Sequence, residues 1–154
     1  MRKNRPRAEP FANPFAKREI DGDLQCRLAI KKSDDEQHNV FGWASVASRP
    51  DGQQIKDWQE DIVEIDELEA AAYQYVIMYR EGGEMHQRGG VATLIESMVF
   101  TKPKMTVLGI PDGILPEGWW IGLHVLDDQV WAKVKDGTYT MFSIGGEAVR
   151  QKVE

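Results

Sequence analysis

The stretch "GWWIGLHVLDDQVWAKVKDGTYTMFSIGG", residues 118–146, decides how the chain is built. Residues 119–126 are a long apolar run, read as a strand. Asp127 or Asp128 then stands where a helix cap belongs. "DQVWAKVK" (128–135) has helical spacing, with Val130, Trp131 and Val134 turned inward and Gly137 closing it. A further strand, "TYTMFSIGG", carries Ser143 between Phe142 and Ile144 and leaves through Gly145 and Gly146. Strand, short helix and strand thus follow one another within 29 residues, and the second strand ends on an isolated hydroxyl. A core strand has no need of that hydroxyl. A serine nucleophile whose neighbouring amides must approach a carbonyl does.

Upstream, "DLQCRLAIKKS" (23–33) alternates Leu24, Cys26, Leu28 and Ile30 as a half-buried strand does. "NVFGWASVAS" (39–48) is a second strand, with Gly42 suggesting a bulge. Asp51-Gly52 marks a turn from which 55–63 returns. A long helix follows. Asp66 and Glu69 have capping-box spacing, and Leu68, Ala72, Tyr75, Val76 and Tyr79 share a face up to Gly82 and Gly83. Residues 91–100 read as a strand and 105–110 as another short one. The order is too irregular for repeated βαβ units. The fold expected is α+β: a mostly antiparallel β-barrel of six or seven strands with one long and one short helix. Residues 1–22 form a basic, disordered arm and 23–154 the barrel domain.

The composition is that of a soluble globular protein, 42% hydrophobic and 29% charged over 154 residues, which gives room for one core. The longest apolar runs fall short of the ~20 residues a membrane span needs. The start "MRKNRPRAEP" leads into proline and charge instead of the apolar stretch of a signal peptide. The single Cys26 excludes an internal disulfide and a cysteine-rich zinc site. A cytoplasmic chain is therefore expected. The net charge of −6 conceals a basic arm: six Lys and Arg against Glu9 and Glu19 within residues 1–20, on a body near −10. The arm suits an acidic partner or is a plain solvated terminus, while the acidic body argues against nucleic acid as a partner.

Three histidines are available. His86 sits in "YREGGEMHQRGG" (79–90), between two Gly-Gly pairs, where an imidazole can stay accessible beside a second strand. His124 alternates with Leu123 and Val125, a packing or surface position, and His38 lies in a polar connection. Acyl transfer at Ser143 would need a base, for which His86 is the candidate, and a group to orient that base. Glu96, in "LIESMVF", is the preferred orienter, because an ionised group on an apolar strand costs desolvation unless paired. It could equally face solvent. No Gly-x-Ser-x-Gly elbow is present, so these residues alone leave catalysis open. The five tryptophans read as core or barrel-end packing, and Asp57 with Asp61 as exposed or capping groups. A metal-dependent hydrolase built on His86, His124 and nearby acids lacks His-Glu-x-x-His spacing.

Four blocks taken in order carry a resemblance: "FGWASV", "DWQEDIVEIDELEAAAYQYV", "MHQRGGVATLIES" and the 118–146 stretch. Together they resemble the phage serine protease family allied to prohead, or capsid-maturation, proteases, over roughly residues 25–150. The resemblance implies an assemblin-like barrel with endopeptidase activity, working through an acyl-enzyme on scaffold or major capsid protein segments, itself included. It implies Ser143 as nucleophile and His86 as general base, with Glu96 the best match for the third member, since no histidine follows Ser143. It further implies action in the host cytoplasm, inside the assembling prohead, with a homodimer as a further expectation. No cofactor, metal or membrane is implied. The rival reading is a non-catalytic capsid-assembly or scaffold-associated protein with the same barrel.

Overall fold

The computed structural model describes residues 30–34, 37–56, 61–84, 88–139 and 142, without the side chains of 31, 32 and 88. Eight elements follow in order: β1 (Ile30–Asp34), β2 (Asn39–Ser48), α1 (Ile65–Met78), β3 (Glu81–Glu84), β4 (Arg88–Phe100), α2 (Lys102–Val107), β5 (Glu117–Val125) and α3 (Asp128–Lys135). The strands form one sheet in the order β1-β2-β5-β4-β3, and every neighbouring pair is antiparallel.

The α+β class and the antiparallel pairing are as expected, but the described residues make an open five-stranded sheet with β1 and β3 outermost, and no closed barrel. The shortfall in strands has physical causes. Residues 105–110, expected as a strand, fall in α2 and the turn after it. Thr101 Oγ1 accepts from the Lys104 amide at 3.4 Å. Pro103 occupies the first turn, where its missing N–H is harmless. Gly109, at φ +72°, ends the helix. Among the described residues, the return from the Asp51-Gly52 turn forms isolated bridges, Ser48 with Gln54 and Lys56 with Ile62, in place of a strand. That turn itself is as read, with Gly52 at φ +87° and the Gly52 amide donating to the Arg49 carbonyl at 2.9 Å. There are three described helices, not two; of the strand proposed over 138–146, Thr138, Tyr139 and Phe142 are described and stand in no strand, and Ser143 lies outside the described residues. The arm, 1–22, lies outside them as well, as do Cys26, Asp57 and Trp58.

Helix α1 has the expected span but different ends. It starts after Glu64, whose side chain makes no cap bond, with Asp66 and Glu67 in the first turn, where they complement the helix dipole. The expected capping partner Glu69 pairs instead with Lys104. The stop is not the glycine pair. Arg80, at φ +58°, turns the chain, and the amides of Tyr79 and Arg80 both donate to the Tyr75 carbonyl, at 2.9 and 3.1 Å. Gly82 and Gly83 belong to β3 and are buried.

The core follows from alternation along β5. Trp119, Ile121, Leu123 and Val125 are buried. They share a cluster with Leu68 and Ala72 of α1 and Val130 and Trp131 of α3. Tyr75 meets Trp119 edge to face at 5.4 Å, and the Trp119 indole N–H donates to Ser97 Oγ at 2.9 Å. On the other face Trp43 packs edge-on against Trp120 and Phe100, with centroids 5.4 and 5.6 Å away. Gly118 and Gly122 lie on that same face of β5, where their missing side chains let β2 and β4 approach. A Cβ on Gly118 would stand 2.6 Å from the Ser45 carbonyl oxygen.

Candidate functional site

Ser143 and His86 lie outside the described residues; what the structure gives is the ground immediately around them. The hairpin that contains His86 is closed by the Glu84–Arg88 pair of β3 and β4. The chain that leads to Ser143 leaves α3 through a tight turn. Gly137 sits at φ +79°, and the Thr138 amide donates to Asp136 Oδ1 at 2.8 Å. The Thr138 hydroxyl bonds the same oxygen, which holds the Asp136 carboxyl below its usual range. The Tyr139 amide then donates to the Lys133 carbonyl at 3.0 Å. Tyr139 and Phe142 both belong to the core cluster, 6% and 1% exposed.

These two stretches are tied together. The Tyr139 hydroxyl donates to Glu84 Oε1 at 2.7 Å, and Lys133 Nζ reaches the same oxygen at 2.5 Å. Lys133 also donates to the Tyr139 hydroxyl at 3.3 Å and lies over its ring, 5.3 Å from the centroid. Burial, then the bond to Glu84, raises the Tyr139 phenol. The hydrogen bond to Glu84 is the main cause that raises Lys133. The residue two before His86 and the residue four before Ser143 therefore share a direct hydrogen bond. Neither Glu84 nor Tyr139 was singled out by sequence reasoning, for they are 55 positions apart.

Glu96 is placed differently. It stands exposed on the face away from the core, so the desolvation argument that singled it out does not apply. It pairs across from Gly122, and a Cβ there would lie 3.1 Å from Glu96 Cβ and 2.8 Å from two atoms of the Phe41 ring. Counted along the partner strands, Glu96 is two residue steps of β3 plus three of β5 from the Glu84–Arg88 pair, roughly 16 Å. It also lines an open groove of about 630 Å³ between α1 and β4, beside Tyr73, Ile77, Leu94 and Ile95.

The other two histidines are described. His38, in the left-handed region at φ +54°, stacks on the Trp131 indole at 4.7 Å, so its ring is a packing element. His124 Nδ1 lies 2.9 Å from Asn39 Oδ1. The Asn39 amide nitrogen donates to Gln37 Oε1 at 3.2 Å, which orients the oxygen toward the imidazole. With Asn39 in this orientation, Nδ1 is the donor and Nε2 the acceptor. The register of β2 on β5 sets Asn39 opposite His124, a pairing that no local pattern in the sequence marks. Among the described residues, no three His, Cys, Asp or Glu side chains gather as a metal-binding group. No described helix is long and apolar enough to cross a membrane.

Comparison with known proteins gives one family. Residues 27–152 match the family described as "Putative phage serine protease XkdF". Similar relatives include the phage-like element PBSX protein XkdF of Bacillus subtilis (strain 168), 30% identical over 82% of this chain and 42% of the relative. Another is a Bacillus subtilis (strain 168) protein described as "Uncharacterized protein YqbD", 28% identical over 87% of this chain and 39% of that protein. The chain thus spans about two fifths of the length of these curated relatives. No solved structure matches the chain significantly.

Proposed function

The chain belongs to the phage XkdF family, and on that premise we propose that it is a serine endopeptidase of capsid maturation. It cleaves scaffold or major capsid protein segments, its own chain included, inside the assembling prohead in the host cytoplasm. Ser143 Oγ attacks the scissile carbonyl while His86 takes its proton and then delivers it to the leaving amine, and water resolves the acyl-enzyme by the same route. Glu96 enters as third member on resemblance alone; its exposure and its distance from the Glu84–Arg88 pair count against it. A homodimer belongs to the same proposal.

The observation that supports this reading is the Tyr139–Glu84 bond. A base and a nucleophile 57 positions apart have to be brought within hydrogen-bond reach. The described segments that lead to both are joined by a direct contact.

The test is mass spectrometry of the chain incubated with its cognate scaffold, comparing wild type with Ser143→Ala and His86→Ala. Discrete cleavage products that vanish in both variants support the protease. An uncleaved scaffold that nevertheless co-assembles with the folded chain would favour the non-catalytic assembly protein.

A further inference from the structure

We propose that Glu84, Tyr139 and Lys133 form a positioning clasp that holds the hairpin bearing His86 against the segment bearing Ser143. The inference rests on the serine protease reading, and it assigns work to three residues outside the proposed triad.

The clasp is drawn from three separate pieces of chain: the edge strand β3, the last turn of α3 and the segment after it. A carboxylate with only 12% of its side chain exposed carries a desolvation cost that must be offset by partners. Here one oxygen accepts from both a phenol and an ammonium, and these two also bond each other. For core filling alone, a phenylalanine would pack as well as Tyr139. The hydroxyl adds the directional bond to Glu84 and an acceptor for Lys133. Raised by burial, the phenol stays protonated through the neutral range and remains a donor. The geometry joins β3, the last turn of α3 and the segment after it directly beside the hairpin that bears His86. Misplacing a reacting group by about 1 Å can cost on the order of 100-fold in rate.

The experiment measures two quantities on the full chain and its Tyr139→Phe, Glu84→Ala and Glu84→Gln variants. The first is the rate of covalent labelling of Ser143 by a fluorophosphonate probe. The second is hydrogen exchange of the backbone across 84–88 and 139–146. Tyr139→Phe is expected to slow labelling at least ~10-fold and to speed exchange in both segments together, with the melting transition still cooperative. Glu84→Gln keeps an acceptor for the phenol and should recover most of the rate lost in Glu84→Ala. A folded Tyr139→Phe that labels at the wild-type rate would overturn the clasp, as would exchange unchanged in both segments. Wild type that fails to label sinks the protease reading instead, and the exchange measurement then decides the clasp by itself.

Discussion

Gly118 offers the sharpest test of how the sheet is held together. A methyl added there would lie 2.6 Å from the Ser45 carbonyl oxygen, 3.0 Å from Val46 Cα and 3.3 Å from Trp43 Cε3. Ordinary contact begins near 3.4 Å, so the first of these requires an opening of about 0.8 Å. Two of the three obstacles are backbone, and β2 is laddered to β5 at this point, Ser45 opposite Trp119 and Val46 opposite Gly118. Forced overpacking costs about 1–3 kcal/mol. The stiffer unfolded chain of an alanine variant returns roughly 0.4–1 kcal/mol. Gly118→Ala should therefore lose about 1.3 kcal/mol net, a fall in Tm of roughly 3–5 °C at this chain length. Gly122→Ala is the control. Its nearest obstacles are the Phe41 ring atoms at 2.8 Å, a side chain that can swing, and its net cost should stay below about 1 kcal/mol. Urea unfolding followed by tryptophan fluorescence, with unchanged m-values, measures both. A Gly118→Ala protein as stable as wild type, or a costlier Gly122→Ala, would refute the steric argument.

Other outcomes follow from the same contacts. Burial pushes the Tyr75 phenol up to about 12, so its contribution is intact below pH 10 and disappears as pH rises through that value; the full swing is roughly 3 kcal/mol, and alkaline titration of stability should be flatter in Tyr75→Phe. The Lys104 hydrogen bond, followed by that of Tyr73, lowers Glu69, so this pair stabilises above pH 4.5 and is lost as pH falls through the lowered value. Both side chains are partly exposed, so an acid titration of Glu69→Ala against wild type should differ by less than about 1 kcal/mol. Glu96→Gln should keep cleavage within about threefold, whereas loss of an orienting carboxylate in a triad costs on the order of 10,000-fold; a loss of the larger kind would restore Glu96 as third member. Asn39→Ala should release the His124 tautomer, visible as a changed ring-nitrogen chemical shift; an unaltered shift would refute the assignment.

What was legible in the chain was local. Asp127 caps α3 by accepting from the Gln129 and Val130 amides, as its place before "DQVWAKVK" implied. The apolar run of 119–126 marked β5, and the Asp-Gly turn formed where it was expected. The misreadings arose where a local pattern competed with a stronger signal. "MTVLGI" is apolar enough for a strand, but Thr101 and Pro103 make a helix start just upstream. Arg80 took the left-handed position that glycine fits best, because the glycines were needed in β3. Strand order was beyond reach, since β2 joins β5 across nearly seventy positions, Ser48 against Glu117. The tie between Glu84 and Tyr139 was hidden for the same reason. Neither residue has a local pattern that marks it.

The two outer strands bear on how such a chain stays dispersed. An unprotected sheet edge is a template for another copy's backbone, and the hazard grows with crowding. β3 offers only four residues, with Glu at each end, and β1 is interrupted by a bulge between Ile30 and Lys32. Short length, like charge and a broken ladder each discourage runaway stacking of sheets. Lengthening β3 or ironing out the β1 bulge should make fibrous aggregates appear at lower concentration.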